Sequence, residues 1–318
     1  MPRISPVLAK KALSIQPYLP LLLPECRTLE SAKQELKWIR YELSSSNRTH
    51  YRMSVKKACL LRYQHVPLQY ILGTQPFGSL NIICKRNVLI PRWETEEWAT
   101  ALLKCLIKYW KNHQLRKPLS IWDLCSGSGC ISLLSKSELN KADIKSNITA
   151  IDLSSAAISL IKLNMQKLKI QAINVKQLNI LDCGPTNNSF QEIDVLICNP
   201  PYIPKHDFNI SVNKSVRLYE PKLALIGDLE FYENLIDSWL LKGNNRTVNS
   251  FVYEIGDIHQ FNYIKERINK NPLLKDTWEV GLKFDSNGKP RCVFGFNKIK
   301  PAFKYIFHEF GSSSGIQL

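Results

Sequence analysis

Four consecutive residues, Asn199-Pro200-Pro201-Tyr202, bring together a carboxamide, two rings without a backbone N–H, and an aromatic side chain. They follow Val195-Leu196-Ile197-Cys198, an apolar run that reads as a buried strand, so the tetrad is expected at that strand's carboxyl end. Each proline fixes its own φ, and Pro200 pushes Asn199 out of helical geometry. The expected result is a stiff corner that directs the Asn199 amide and free carbonyls outward, with Tyr202 as a flat wall beside them. Such a corner suits a planar NH2 group. The Asn199 side-chain oxygen and the Pro200 carbonyl each accept one hydrogen, and the Tyr202 ring packs against the plane. An isolated Pro-Pro more often just ends a strand, so a second signal has to decide.

That signal lies upstream. Leu119-Ser120-Ile121-Trp122-Asp123-Leu124 reads as a strand; it runs into the turn Cys125-Ser126-Gly127-Ser128-Gly129-Cys130 and then the helix-like Ile131-Ser132-Leu133-Leu134. Strand, glycine turn and helix open a nucleotide-binding βαβ unit, in which the backbone must approach a ligand closely. The next strand, Ile148-Thr149-Ala150-Ile151, ends in Asp152, where a carboxylate can accept hydrogen bonds from ribose hydroxyls. A lone G-x-G is weak, but glycine turn, acidic strand end and Asn-Pro-Pro-Tyr in that order are specific.

This order of motifs resembles the S-adenosylmethionine-dependent methyltransferases, and within them the release factor glutamine N5-methyltransferase family. Leu89-Ile90-Pro91-Arg92-Trp93-Glu94-Thr95-Glu96 is similar to that family's linker motif, and Pro67-Leu68-Gln69-Tyr70-Ile71-Leu72-Gly73 with Phe77 matches it upstream. Tyr219-Glu220-Pro221-Lys222-Leu223-Ala224-Leu225 and Gly288-Lys289-Pro290-Arg291 are similar to it downstream, so the resemblance runs from about residue 60 to residue 296. It implies an α/β class I methyltransferase sheet, Rossmann-like, with a small helical N-terminal domain. The implied division is a helical substrate-binding domain over 1–75, a β-hairpin linker over 76–93 and the methyltransferase domain over 94–318. The implied activity is methyl transfer to the side-chain nitrogen of the glutamine in the Gly-Gly-Gln loop of a peptide chain release factor, here expected to be mitochondrial.

The resemblance also implies site roles. Asn199, Pro200 and Tyr202 are expected to be catalytic, and all of Asn199, Pro200, Pro201 and Tyr202 to bind substrate. Cys125, Ser126, Gly127, Ser128, Gly129, Asp152, Asn179, Ile180 and Asn199 are expected to hold S-adenosylmethionine. This chain departs from the family in having Cys125 where glycine is usual and Trp93 where proline is usual. It also has Asn179 in place of an acidic residue near the adenine, and Ile180 where an aromatic is common. Cysteine suits the turn if its φ is negative and is strained if φ is positive. Asn179 retains a group able to hydrogen-bond an adenine amine.

The chemistry asks more for alignment than for a base. A carboxamide nitrogen is a poor nucleophile because its lone pair is delocalised into the carbonyl. Holding two reactants about 3–3.5 Å apart in line lowers a barrier by roughly 7–11 kcal/mol. Acceptors on the amide hydrogens stabilise positive charge as it develops on nitrogen. Neither a metal nor a covalent enzyme intermediate is required.

Composition bounds the partners. A chain of 318 residues, 44% hydrophobic and 22% charged, is long enough for one large domain and a small one. No apolar run reaches the length of a membrane span. The net charge of +16 fits a ribosome- or nucleic-acid-facing surface, and equally a basic mitochondrial matrix protein. The first 24 residues hold Arg3, Lys10 and Lys11 and no acid, as in a transit peptide, or they start the first helix. The expected compartment is the mitochondrial matrix, with the cytoplasm as the alternative. Nine cysteines are scattered without a C-x-x-C, so no metal site is expected and a reducing compartment is.

The pattern around these motifs places them. Thr28 is expected to cap a helix with Leu29, Ala32, Leu36, Ile39 and Leu43 on one face, followed by a break at Ser44-Ser45-Ser46-Asn47 and a helix from Ser54 to Tyr63. This piece is expected to hold little core alone and to pack on the catalytic domain. A hairpin over Phe77–Val88 should lead to a helix from Glu94, with Trp98, Leu102, Cys105 and Tyr109 on one face. Helices over 154–168, 229–241 and 258–269 alternate with strands near Val175, Val195, Phe251, Trp278 and Val293, which implies a mostly parallel sheet with an antiparallel end. His206 is expected to be solvated, Arg92 and Glu94 to position a ligand or make an inter-element bridge, and Glu220 to touch a ligand or cap a loop by hydrogen bonding to backbone.

Two other functions fit these residues. An adenine-N6 methyltransferase would present the same NH2 geometry to the tetrad, but no extra domain for extruding a base from DNA is evident. A non-catalytic ribosome-associated protein would let its cofactor contacts decay, and an intact tetrad argues against that.

Overall fold

A computed structural model of the chain describes residues 4–44, 53–182, 192–242 and 248–312. Five helices come first: α1 (Pro6–Ile15), α2 (Leu19–Cys26), α3 (Leu29–Ser44), α4 (Val55–Tyr63) and α5 (Leu68–Leu72). Thr28 caps α3 by accepting the Ser31 N–H at 3.1 Å, and Ser54 caps α4 by accepting the Lys57 N–H at 3.1 Å. Ser45, Ser46 and Asn47 of the expected break lie outside the described residues.

The N-terminal helices have more core than expected. Leu22, Leu23, Ala32, Ile39, Ala58 and Cys59 are wholly buried among one another, and Arg62 ties the helices together through ion pairs to Glu25 and Glu35. Within the first 26 residues, α1 and α2 contribute Ala12, Leu19, Leu22 and Leu23 to this core. The helical unit still touches the rest of the chain, since Tyr219 Oη donates to the Gln64 carbonyl at 2.9 Å.

The hairpin comes earlier than expected. β1 (Thr74–Phe77) pairs with β2 (Leu80–Ile83), and Gly78 takes φ 57 at the turn. β1 starts at Thr74, on the N-terminal side of the expected 75/76 boundary, and the Cys84 N–H closes the hairpin on the Gly73 carbonyl at 2.9 Å. Residues 84–88 turn toward the linker instead of extending β2.

After α6 (Trp93–Asn112) the chain alternates β3 (Leu119–Leu124), α7 (Cys130–Lys141), β4 (Ser146–Asp152), α8 (Ser155–Leu168), β5 (Ile173–Gln177) and β6 (Val195–Cys198). Short helices α9 (Phe208–Ser211), α10 (Lys214–Tyr219) and α11 (Glu230–Asn234) follow, the last continuing as a π-helical turn over Leu235–Leu241. The described residues close with β7 (Ser250–Glu254), α12 (Ile258–Lys270), β8 (Trp278–Phe284), β9 (Pro290–Asn297) and α13 (Pro301–Ser312). Strand order is β5-β4-β3-β6-β7-β9-β8; the first five are parallel, and β9 runs antiparallel between β7 and β8.

Each face of the sheet is covered. Trp98, Leu102 and Leu106 of α6, Leu133 and Leu134 of α7, and Phe303, Ile306, Phe307 and Phe310 of α13 pack on one side. Trp239 and Leu240, with Ile264 and Ile268 of α12, pack on the other. Helix α13 was not anticipated, although its four apolar residues repeat with helical spacing after Pro301 at the first turn.

Candidate active site

The chain leaves β3 toward β4 and β5 on one side and returns to β6 on the other, which opens a crevice at the strands' carboxyl ends. A cavity of about 310 Å3 occupies that crevice. Of the expected residues, Cys125, Ser126, Gly127, Ser128, Asp152, Asn179, Ile180, Asn199 and Pro201 line it. Gly129, Pro200 and Tyr202 do not.

The glycine turn is bolted to the end of β4. Ser126 donates its N–H and its hydroxyl to the Ile151 carbonyl, each at 3.0 Å. Asp152 accepts the Gly127 N–H on Oδ2 and the Ser154 N–H on Oδ1, both at 2.8 Å. Burial raises the Asp152 carboxyl above its ordinary range, and those backbone donors oppose the shift. Gly127 takes φ 54, and a Cβ there would meet nothing within 4 Å, so the space beside it is the open cavity. Gly129 takes φ 78 for packing instead, since a Cβ would sit 3.1 Å from Ile161 of α8.

The question of Cys125 is settled against the unstrained case. Its φ is 53, the left-handed region that glycine would occupy freely. A non-glycine residue held there costs roughly 1–2 kcal/mol. Asn179 is committed to its own loop: Oδ1 accepts the Leu181 N–H at 3.2 Å and Nδ2 donates to Asp182 at 2.8 Å. Asp182, which anchors Asn179, does not itself line the cavity.

The Asn-Pro-Pro-Tyr corner sits at the end of β6 and is held from behind. Asn199 Nδ2 donates to Thr95 Oγ1 at 3.1 Å, and Thr95 donates to Glu254 Oε2 at 2.6 Å. The same Oε2 accepts Trp98 Nε1–H at 2.9 Å, while Oε1 accepts the Tyr202 hydroxyl at 3.1 Å. Gln260 Nε2 donates to the Tyr202 carbonyl at 3.1 Å. Tyr202 is thus clamped through its hydroxyl, which burial and then Glu254 hold protonated.

The linker motif closes one side. Glu220, almost fully buried, accepts the Ile90 N–H at 3.0 Å and the Arg92 guanidinium at 2.7 Å. Arg92 makes this inter-element bridge while also lining the cavity, and Glu220 caps backbone. Glu94 reaches Arg291 at 3.5 Å, and His206 is 79% exposed beside Asp207.

Sequence reasoning missed Thr95, Asp123, Asn164 and Glu254. Asp123, at 0% exposure beneath the turn, accepts the Ser132 N–H and hydroxyl. Asn164 donates to the Ser128 carbonyl at 3.1 Å and accepts the Ile83 N–H at 2.7 Å, joining the turn to the hairpin. Glu254 carried the same signal as Asp152, an acid at the carboxyl end of a parallel strand. Asn164 carried none. Cys183 lies outside the described residues, and among those described no group of three or more His, Cys, Asp or Glu can hold a metal ion.

A seven-stranded sheet of this order, with a glycine turn, an acid and an Asn-Pro-Pro-Tyr corner meeting in one crevice, defines a class I methyltransferase. Residues 99–218 match the methyltransferase small domain family. The solved human Mettl16 catalytic domain, in complex with the MAT2A 3'UTR hairpin 1, shares the fold at a TM-score of 0.52 and 14% identity, over 83% of this chain and 91% of that one. The chain is 49% identical to the mitochondrial MRF1 N(5)-glutamine methyltransferase MTQ1 of Saccharomyces cerevisiae, over 99% of this chain and 95% of that protein. It is 36% identical to the probable MRF1 mitochondrial N(5)-glutamine methyltransferase of Schizosaccharomyces pombe, over 86% of this chain and 91% of that one. A release factor glutamine methyltransferase of Bacillus cereus is 28% identical over 72% of this chain and 76% of that protein. The chain belongs to the release factor glutamine methyltransferase family, and is an S-adenosylmethionine-dependent protein-glutamine N5-methyltransferase.

Proposed function

We propose that this enzyme methylates N5 of the glutamine in the Gly-Gly-Gln loop of a mitochondrial peptide chain release factor. The observation that carries the reading is the Asn199 carboxamide: it lines the cavity with Nδ2 tied back to Thr95, which leaves Oδ1 to accept a substrate N–H. Pro200 does not itself line the cavity, but its carbonyl, beside Asn199, takes no hydrogen bond among the described residues and is the second acceptor in this reading. When bound, S-adenosylmethionine supplies a methyl group already activated on a positively charged sulfur. Asp152 has lone pairs left for the ribose hydroxyls, and Leu153, Ile180 and Phe231 offer apolar surface to the adenine. The open space beside Gly127 lets the backbone approach the ligand. Asn199 Oδ1 is a neutral acceptor, so it orients the amide and stabilises charge on nitrogen without acting as a strong base. No metal enters this scheme.

The N-terminal helices are proposed to contact the release factor. The mitochondrial matrix as compartment is supported by the two mitochondrial relatives and by the basic charge.

The test is methyl transfer from labelled S-adenosylmethionine to purified mitochondrial release factor, with Gly-Gly-Gln intact or changed to Gly-Gly-Ala. Label is expected in the intact factor alone, with Asn199→Ala lowering kcat on the order of 10²–10³-fold. Label entering adenine of RNA or DNA, with none in the factor, would overturn the assignment.

A further inference from the structure

Behind the corner, three donors converge on one buried carboxylate from two different elements. Trp98 and Thr95 reach it from α6, at 2.9 and 2.6 Å, and Tyr202 from the loop after β6, at 3.1 Å. Glu254 is 1% exposed and Thr95 is also 1% exposed, so water does not compete for these bonds.

The donors' identities give the chain of bonds a direction. An indole N–H can only donate, so Glu254 Oε2 is an acceptor. Thr95 donates to that same oxygen, so with no proton on Oε2 its single hydroxyl hydrogen is used on Glu254. What Thr95 has left to offer is a lone pair, which must face a donor. Of the two ends of the Asn199 carboxamide, only Nδ2 donates, and Nδ2 stands 3.1 Å from Thr95. The other end, Oδ1, is then the atom turned to the cavity.

We propose that Thr95 is a positioning residue that fixes which end of the Asn199 carboxamide the substrate meets, under a polarity imposed by Glu254. The inference rests on the reading that Asn199 receives the glutamine amide. An amide flipped at Asn199 would present an NH2 to an NH2 and lose the hydrogen bond. Charge on Glu254 is not what the relay needs; an acceptor facing Thr95 and Trp98 is.

Four variants separate the relay from its alternatives. Thr95→Val keeps the shape and removes the hydroxyl, and kcat is expected to fall on the order of 10²-fold with cofactor affinity by calorimetry unchanged. Thr95→Ser, which restores the hydroxyl, recovers most of the loss. Glu254→Gln can still turn its carbonyl oxygen to Trp98 and Thr95, and so keeps more activity than Glu254→Met, which has no such acceptor and frees Thr95 to donate to Asn199 Oδ1. Equal loss in Thr95→Ser and Thr95→Val, equal loss in Glu254→Gln and Glu254→Met, or cofactor affinity falling together with kcat would each overturn the proposal.

A substrate-free measurement keeps the relay apart from the release-factor reading. The Asn199 side-chain NH2, observed by 15N NMR, is expected to be protected from hydrogen exchange in the wild type and to lose protection in Thr95→Val. Unchanged protection would overturn the relay whatever the enzyme methylates. Failure of the wild type to label the release factor, with that protection pattern present, would overturn the substrate assignment alone.

Discussion

A Cβ atom at Gly227 would lie 2.3 Å from the carbonyl oxygen of Pro201. The two segments run side by side there: the Ile203 N–H donates to the Leu225 carbonyl at 3.0 Å and the Gly227 N–H to the Ile203 carbonyl at 3.1 Å. The chain beyond Lys222–Ala224 therefore braces the active-site corner from outside, and its closeness depends on glycine. Gly227→Ala must displace backbone, since the clash is with a carbonyl and no flexible side chain can give way. A shift of about 1 Å at the corner is expected to lower kcat on the order of 10²-fold. Steady-state methyl transfer checks this, with cofactor affinity close to wild type as the companion result.

Asp152 joins the glycine turn to the end of β4 and offers its remaining lone pairs to the cavity. Asp152→Ala is expected to weaken S-adenosylmethionine binding by about 10–100-fold, the range for losing hydrogen bonds to a charged group. Titration calorimetry on the free enzyme measures it directly.

Cys125 stands at φ 53 in that turn, and its strain gives opposite expectations for two substitutions. Cys125→Val puts a branched Cβ in the left-handed region and is expected to cost roughly 1–2 kcal/mol more than cysteine does. Cys125→Gly removes the strain, and the larger unfolded-state entropy of glycine takes back about 0.4–1 kcal/mol, leaving a net gain of about 0.8 kcal/mol. Urea unfolding of the three proteins, compared at equal m-value, orders them Gly, Cys, Val.

Burial pushes the Asp123 carboxyl from its ordinary 3.8 up to about 7, against the two hydrogen bonds from Ser132, and its Oδ1 has no partner among the described residues. A raised carboxyl binds its proton more tightly in the folded state. Its contribution is therefore full below pH 3.8 and is lost as pH rises through about 7. Asp123→Asn cannot ionise, so its Tm is expected to fall less than that of wild type between pH 4 and pH 7. Scanning calorimetry across that range checks the slope, and parallel slopes would contradict it.

Much of the fold was legible because its signals are local. The apolar runs of β3, β4 and β6 and the cap at Thr28 are read from adjacent residues, and the structure has them there. The hairpin was displaced by a few residues because its end is set by a long-range closure, Cys84 on Gly73, which no strand propensity encodes. The N-terminal helices were underrated because one helix shows only its own apolar face. Three such faces meeting around Leu23, Ile39 and Cys59 make the core.

The sequence alone determined the chemistry on offer: a carboxamide held by two prolines, a glycine turn, and an acid closing a strand, in an order that makes them share one crevice. Those properties reside in backbone restriction and strand ends, which neighbouring residues dictate. Only the tertiary structure decided that Tyr202 is clamped to Glu254, that Cys125 must take a positive φ, and that Asn199 is oriented by Thr95. Asn199 and Thr95 lie 104 residues apart, and Thr95 and Glu254 lie 159 apart. The direction of a hydrogen bond depends on what else each partner already donates to, and that is known only when all the partners are in place.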